Sequence, residues 1–252
     1  MAVLIFVLGL IFGSFGNVII FNLNTGESLI FRGSRCFFCG RKLGWLELIP
    51  VVSFLFLKGR CRTCLGKISR QYPFFEIASA FIFLLVYYRL GFQNPILTGT
   101  AILFFWLLLM ISVYDIRHKI IPDSLVYIAI FTAFILSLFL IPRYLFIIHL
   151  LAGAGLFIFF AGLWLASRGR WMGFGDAKLA LAIGLMLSWP EGGLALLFSF
   201  WIGAIFGLAL VFVKKLKNLK IQIPFAPFLF LGSLSAFLWG NKIISWYFSL
   251  LR

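Results

Sequence analysis

Charge is scarce in this chain. Only 12% of its 252 residues are charged, about half the share of a soluble domain. That excludes a soluble globular protein. It also excludes the nucleic-acid reader that a net charge of +15 would otherwise suggest, because the basic residues fall in short connections between apolar runs and not on one polar face. Seven residues are acidic, few enough to weigh singly. No basic residue precedes Arg32, so the apolar N-terminal stretch lacks the n-region of a cleavable signal and reads as a retained first span. There is no internal repeat, no low-complexity segment and no glycine-rich cofactor fingerprint after a strand. Cysteine is limited to four residues and histidine to two.

What is present is mostly apolar, 63% of the chain. Runs long enough to cross a bilayer fall at 2–21, 74–90, 96–114, 124–141, 144–166, 175–189, 193–213 and 225–240, with 241–252 either extending the last or lying at the interface. The expected fold is an all-α polytopic membrane protein of about eight transmembrane helices. A small zinc-knuckle domain separates the first from the second. The expected divisions are a first helix at 1–21, a cysteine domain at 22–73 and a membrane core at 74–252. Gly9 with Gly13, and Gly203 with Gly207, have the small-residue spacing of closely packed helices.

Orientation follows from the positive-inside rule. If 22–73 is cytoplasmic, that side also holds Arg117, Lys119, Arg168, Arg170, Lys178, Lys214, Lys215, Lys217 and Lys220, eighteen basic residues in all. The other side holds only Arg89, Arg143, Lys242 and Arg252. Both termini are then outside. Asp115 and Asp176 both fall at the cytoplasmic ends of their spans.

Cys36, Cys39, Cys61 and Cys64 form two C-x-x-C pairs, the pattern of a four-thiolate zinc site. A cytoplasmic location disfavours disulfides, and a closed site is structural and not catalytic. Redox-active or vacant thiols are the alternative.

Gly173-Phe174-Gly175-Asp176 and Asp115 through Ile121-Pro122-Asp123 place carboxylates at the ends of apolar runs, where ionisable groups usually mark function. Gly175 permits close backbone approach. An N-cap role is the alternative for Asp176, and an N-cap or first-turn acid is the preferred reading of Asp123. Lys178 either snorkels or binds an anion. Asn17 and His149 read as hydrogen-bonded structural residues, His118 as solvated and Glu76 as an acid opening the second span. A transporter using the aspartates as ion sites and a zinc-knuckle scaffold both stay open on these residues alone.

Gly13-Ser14-Phe15-Gly16-Asn17-Val18, the cysteine motifs, Glu47 through Ser53, Ile68 through Glu76, the two aspartate motifs and Pro224-Phe225-Ala226-Pro227-Phe228 together resemble the type IV prepilin peptidase family, membrane aspartyl proteases of the GxGD class. The likeness spans nearly the whole chain, with Ala226 where the family commonly has glycine. It implies Asp115 and Asp176 as the catalytic pair. It also implies cleavage of a short basic leader after glycine from type IV prepilin or pseudopilin precursors, in the bacterial cytoplasmic (inner) membrane. Methylation of the new N-terminus with S-adenosylmethionine is implied by the resemblance alone. A basic leader needs acidic partners, and Glu27 and Glu47 are the expected contacts, with Gly175 beside the substrate. Lipid is the expected surrounding, and no nucleic acid.

Overall fold

The computed structural model describes residues 1–24, 35–36, 38–140, 142–214 and 223–250. Within a bilayer an apolar segment satisfies its own backbone by forming a helix, and helices dominate. In order they are α1 (Ala2–Asn22), α2 (Val52–Phe56), α3 (Gln71–Leu90), α4 (Pro95–His118), α5 (Asp123–Ile135) continued by a π-helical turn (Leu136–Leu140), α6 (Arg143–Ser167), α7 (Phe174–Leu187), α8 (Glu191–Lys214) and α9 (Ala226–Leu250). All but α2 match the eight expected spans, and α9 absorbs the stretch after Asn241. Six are long and apolar enough to cross a membrane. The apolar helix Asp123–Phe139 and α7 are shorter. The 14 residues of α7 rise about 21 Å against a hydrocarbon core of roughly 30 Å. Hydropathy alone does not separate a span from a short helix buried among others, and most of α7 is buried.

Met1–Gly91 forms one compact unit. Here α1 lies along α3 because Gly9 and Gly13 admit the backbone of Ala80 and Glu76; a Cβ on either glycine would stand 2.5 Å from the opposing Cα. Asn17 is fully buried and donates to the Tyr72 carbonyl at 3.2 Å, as expected of a helix-bridging amide. Glu76 is not a helix-opening acid. Helix α3 starts earlier, at Gln71, because Pro73 is tolerated in a first turn. The buried Glu76 carboxylate instead accepts the Val51 N–H at 2.7 Å. Val51 has φ of 60°, an outlier for a β-branched residue, so this bond holds a strained turn at the entrance to α2.

Phe92–Arg252 forms the second unit. Its core is built on α4, whose Phe104, Phe105, Leu108 and Ile111 are fully buried. Helix α4 packs on α5 and α9, α7 on α5 and α6, and α8 on α9. Helices approach closely at Gly184, against the backbone of Gly153, and at Gly232, against that of Ala195 and Ser199. Gly203 and Gly207 do not form the expected packing pair: a Cβ on Gly203 would meet Phe228 only at 3.4 Å, and among the described residues nothing stands within 4 Å of one on Gly207. His149 is buried and bonded through Nδ1 to the Leu185 carbonyl at 2.8 Å, a structural role as expected.

Candidate active site and metal centre

The cysteine segment brings its four thiols together through two matching turns. Isolated bridges pair Arg35 with Lys42 and Arg60 with Lys67. In each turn the first cysteine donates its N–H five residues on, Cys36 to Arg41 and Cys61 to Gly66, and accepts at its carbonyl from the fourth residue on, Gly40 or Leu65. Those two equivalent residues both have positive φ, 68° at Gly40 and 56° at Leu65. The turns match in backbone, and their sequences share, besides the cysteines, an arginine before the first cysteine and a lysine three residues after the second, too few positions to stand out as a repeat.

All four Sγ atoms lie within 4.8 Å of one another, and Cys36 Sγ stands 3.7 Å from Cys64 Sγ. That is too long for a disulfide. It is close to the roughly 3.8 Å edge of a tetrahedron with 2.3 Å metal–sulfur bonds. The N–H groups of Cys64 and Thr63 pull the Cys61 thiol down to about 6, and those of Cys39 and Phe38 lower Cys36. Each turn thus favours a thiolate at its first cysteine. The cluster can hold a metal ion.

Glu47 is committed within its own segment. It accepts from Arg41 at 2.6 Å and from the Gly44 N–H at 2.9 Å. The Gly44 bond, with Arg41, holds its carboxyl below the ordinary range. Glu27 lies outside the described residues.

The aspartates meet at a junction of helix ends. Asp115 sits on the last turn of α4, which Lys119 closes in a left-handed conformation, its N–H reaching the Asp115 carbonyl at 2.7 Å. Asp176 lies in the first turn of α7. Both are 5% exposed, and Asp115 is near enough for its charge to act on Asp176. The Asp176 Oδ1 atom is buried with no hydrogen-bond partner among the described residues. The start of α7 is fixed by Phe174, edge-on to Phe157 and Trp164. Gly175 turns toward its own chain: a Cβ there would stand 2.8 Å from the Ile121 Cβ. The absence of a side chain therefore lets the connection from α4 to α5 lie against α7.

Ser112 was not singled out from the sequence, and Ala226 stood there only as a member of the late motif. Ala226, the first residue of α9, donates its N–H to Asp115 Oδ2 at 3.2 Å, placing that carboxylate at the positive end of a helix. Ser112, one turn before Asp115, reaches the Ala226 carbonyl at 3.2 Å. Phe225 packs on Phe160, Phe200 and Phe228 and so sets where α9 begins. The late Pro-Phe-Ala-Pro motif was a visible signal, but its target was not. Asp123 carries no cap bond in the first turn of α5 and pairs with Lys178, Oδ1 to Nζ at 2.7 Å. Lys178 thus has a carboxylate partner in place of an external anion.

Two family profiles match the chain. The Bacterial Peptidase A24 N-terminal domain covers residues 7–90, and the Type IV leader peptidase family covers residues 102–208. The chain is 36% identical to the prepilin leader peptidase/N-methyltransferase of Bacillus subtilis over 245 residues, 97% of this chain and 96% of that protein. It is 31% identical to the protein of that name from Aeromonas salmonicida, over 98% of this chain and 93% of the relative. For Pseudomonas aeruginosa the figures are 30%, 95% and 91%. No solved structure matches. With likeness of this depth along almost its full length, the chain belongs to the type IV leader peptidase family.

Proposed function

We propose that the protein is a membrane endopeptidase that removes the basic leader from type IV prepilin or pseudopilin precursors after glycine, with Asp115 and Asp176 as its catalytic pair. The observation that carries this reading is the burial of two carboxylates, at the ends of α4 and α7, near enough for the charge of one to act on the other, in a chain of this family.

Peptide hydrolysis by two carboxylates needs one ionised and one protonated, and like charges at short range favour sharing one proton. The ionised carboxylate takes a proton from water as the water oxygen bonds to the scissile carbonyl carbon. The protonated one gives its proton to the carbonyl oxygen. Collapse of the tetrahedral intermediate breaks the C–N bond, and a proton passes to the leaving amine. The pair titrates as a unit. The Ala226 N–H orients Asp115, and Ser112 orients Ala226.

Zinc is the metal we assign to the four thiols, since closed four-cysteine sites select it. Cys36, Cys39, Cys61 and Cys64 would hold it in a structural role. The relatives' names include N-methyltransferase, and we extend that activity to this chain, with S-adenosylmethionine as methyl donor. Among the described residues there is no strand, hence no strand–turn–helix cradle for such a cofactor, and no step is derived through it. The cysteine segment and the aspartates are assigned to the cytoplasmic side of the bacterial inner membrane on the eighteen-to-four charge asymmetry. A substrate contact at Gly175 would be made by its backbone.

The decisive experiment incubates the purified protein in lipid with a prepilin-like precursor and follows mass. Loss of the leader supports the peptidase, and a further 14 Da gain that requires S-adenosylmethionine, about the mass of one added CH₂, supports the methyltransferase. An intact precursor overturns the reading.

A further inference from the structure

We propose that Asp123, whose paired Lys178 ammonium also lies over the rings of Tyr127 and Phe174, is the subsite that reads a positive charge in the leader, and that Lys178 occupies this subsite until substrate displaces it. The proposal rests on the leader-peptidase reading above.

A basic leader calls for an accessible carboxylate beside the catalytic pair, and the acids can be taken one at a time. Asp115 and Asp176 are buried and are the pair itself. Glu76 is buried and bonded to Val51. Glu47 is bonded to Arg41 and Gly44. Glu191 opens α8, beyond the far end of α7, which puts it at least about 17 Å along that helix from Asp176. Glu27 lies outside the described residues. Among the described residues Asp123 is left, and its side chain is 58% exposed.

Its surroundings are those of a cation site. Lys178 Nζ lies 2.7 Å from Asp123 Oδ1, 5.4 Å from the Tyr127 ring centroid and 5.7 Å from that of Phe174. A carboxylate and two aromatic faces bind ammonium or guanidinium alike. Lys178 is two residues beyond Asp176, only about 3 Å further along the axis of α7 although its side chain leaves another side of the helix, so this site stands at the same end of α7 as the catalytic pair. An extended substrate advances about 3.3 Å per residue; a basic residue two to four positions before the cleaved bond therefore lies about 7–13 Å from it. An exposed ion pair is weakly held, and the flexible stem of Lys178 lets its ammonium swing into water as a substrate cation takes its place.

The test uses the full-length protein in nanodiscs and two precursors, identical except that the basic residues two to four positions before the cleavage site are glutamine in one. Wild type should favour the basic precursor by about tenfold in kcat/KM, chiefly through KM and more at low salt. Asp123→Asn should collapse that ratio to within about twofold. Lys178→Gln should lower KM for the basic precursor, since the resident competitor is gone. A merely structural role for Asp123 would slow both precursors and leave the ratio intact, which would overturn the proposal, as would a raised KM in Lys178→Gln. Wild type cleaving both precursors equally also overturns it while the peptidase reading stands. Wild type cleaving neither means that the peptidase reading has failed.

Discussion

The four thiols and the two carboxylates are assembled in different ways. Each cysteine pair is positioned by a tight turn whose hydrogen bonds span five residues, and the two turns are joined by a short segment within one unit. The aspartates are 61 positions apart and meet only because α4, α5, α7 and α9 bring helix ends to one place. A locally built site tolerates variation around it so long as the turn survives. A site built from helix ends depends on packing residues that carry no chemistry, such as Gly175 and Phe225. The two should respond differently to substitution.

The largest effect expected is at the carboxylates. Asp115→Asn and Asp176→Asn preserve shape but end acid–base function, and each should reduce precursor cleavage by about 10³-fold or more. Thermal melting in detergent should stay near wild type. Full cleavage by either variant would remove that residue from the mechanism. Asp123→Asn should lower cleavage of the basic precursor by no more than about tenfold, the preference lost with the subsite.

Next comes the metal. The protein as purified should carry about one zinc per chain, and Cys36→Ser should lower that content and expose the cysteine segment to protease, because ligand binding energy is folding energy in so small a segment. Zinc unchanged in the quadruple serine variant would place the metal elsewhere.

Gly175→Ala tests the packed site without touching its chemistry. The added Cβ meets the Ile121 Cβ at 2.8 Å, an overpacking that typically costs about 1–3 kcal/mol. Stability and cleavage should both fall, and Ile121→Ala in the same chain should restore much of each. Failure of that rescue in the double variant would mean that Gly175 serves something other than Ile121.

The smallest effect lies in the matching turns. Leu65 holds the left-handed conformation that Gly40 adopts freely. Leu65→Gly should raise the denaturation midpoint of the zinc-loaded segment, by at most about 1 kcal/mol. Gly40→Ala, with nothing within 4 Å of the new Cβ, should cost about the same. Equal and opposite shifts would show that the two turns are equivalent; a shift at only one would break the comparison.

The sequence by itself determined what short-range chemistry and solvent dictate. Apolar runs in a charge-poor chain have to become helices in lipid, and seven of the eight expected intervals differ from the observed helices mainly at their ends; the eighth, at 225–240, runs on to Leu250. The C-x-x-C spacing fixes the turn that gathers its thiols, so the four-thiol cluster was legible residue by residue. The two aspartates stood out because acids are rare here and sit at the ends of apolar runs. Tertiary structure decided the rest. Ala226 acts through its backbone N–H and carbonyl, which no residue type announces, and the Ser112 hydroxyl reaches that carbonyl from 114 positions away in sequence. The partner of Lys178 is 55 residues away in sequence, so no spacing rule reaches it. Glu76 looked like a helix-opening acid until α3 proved to begin at Gln71 and Val51 to need its carboxylate. Gly207 has the spacing of a packing glycine and, among the described residues, packs against nothing within 4 Å, because spacing along a helix says which residues share a face but not whether another helix meets that face.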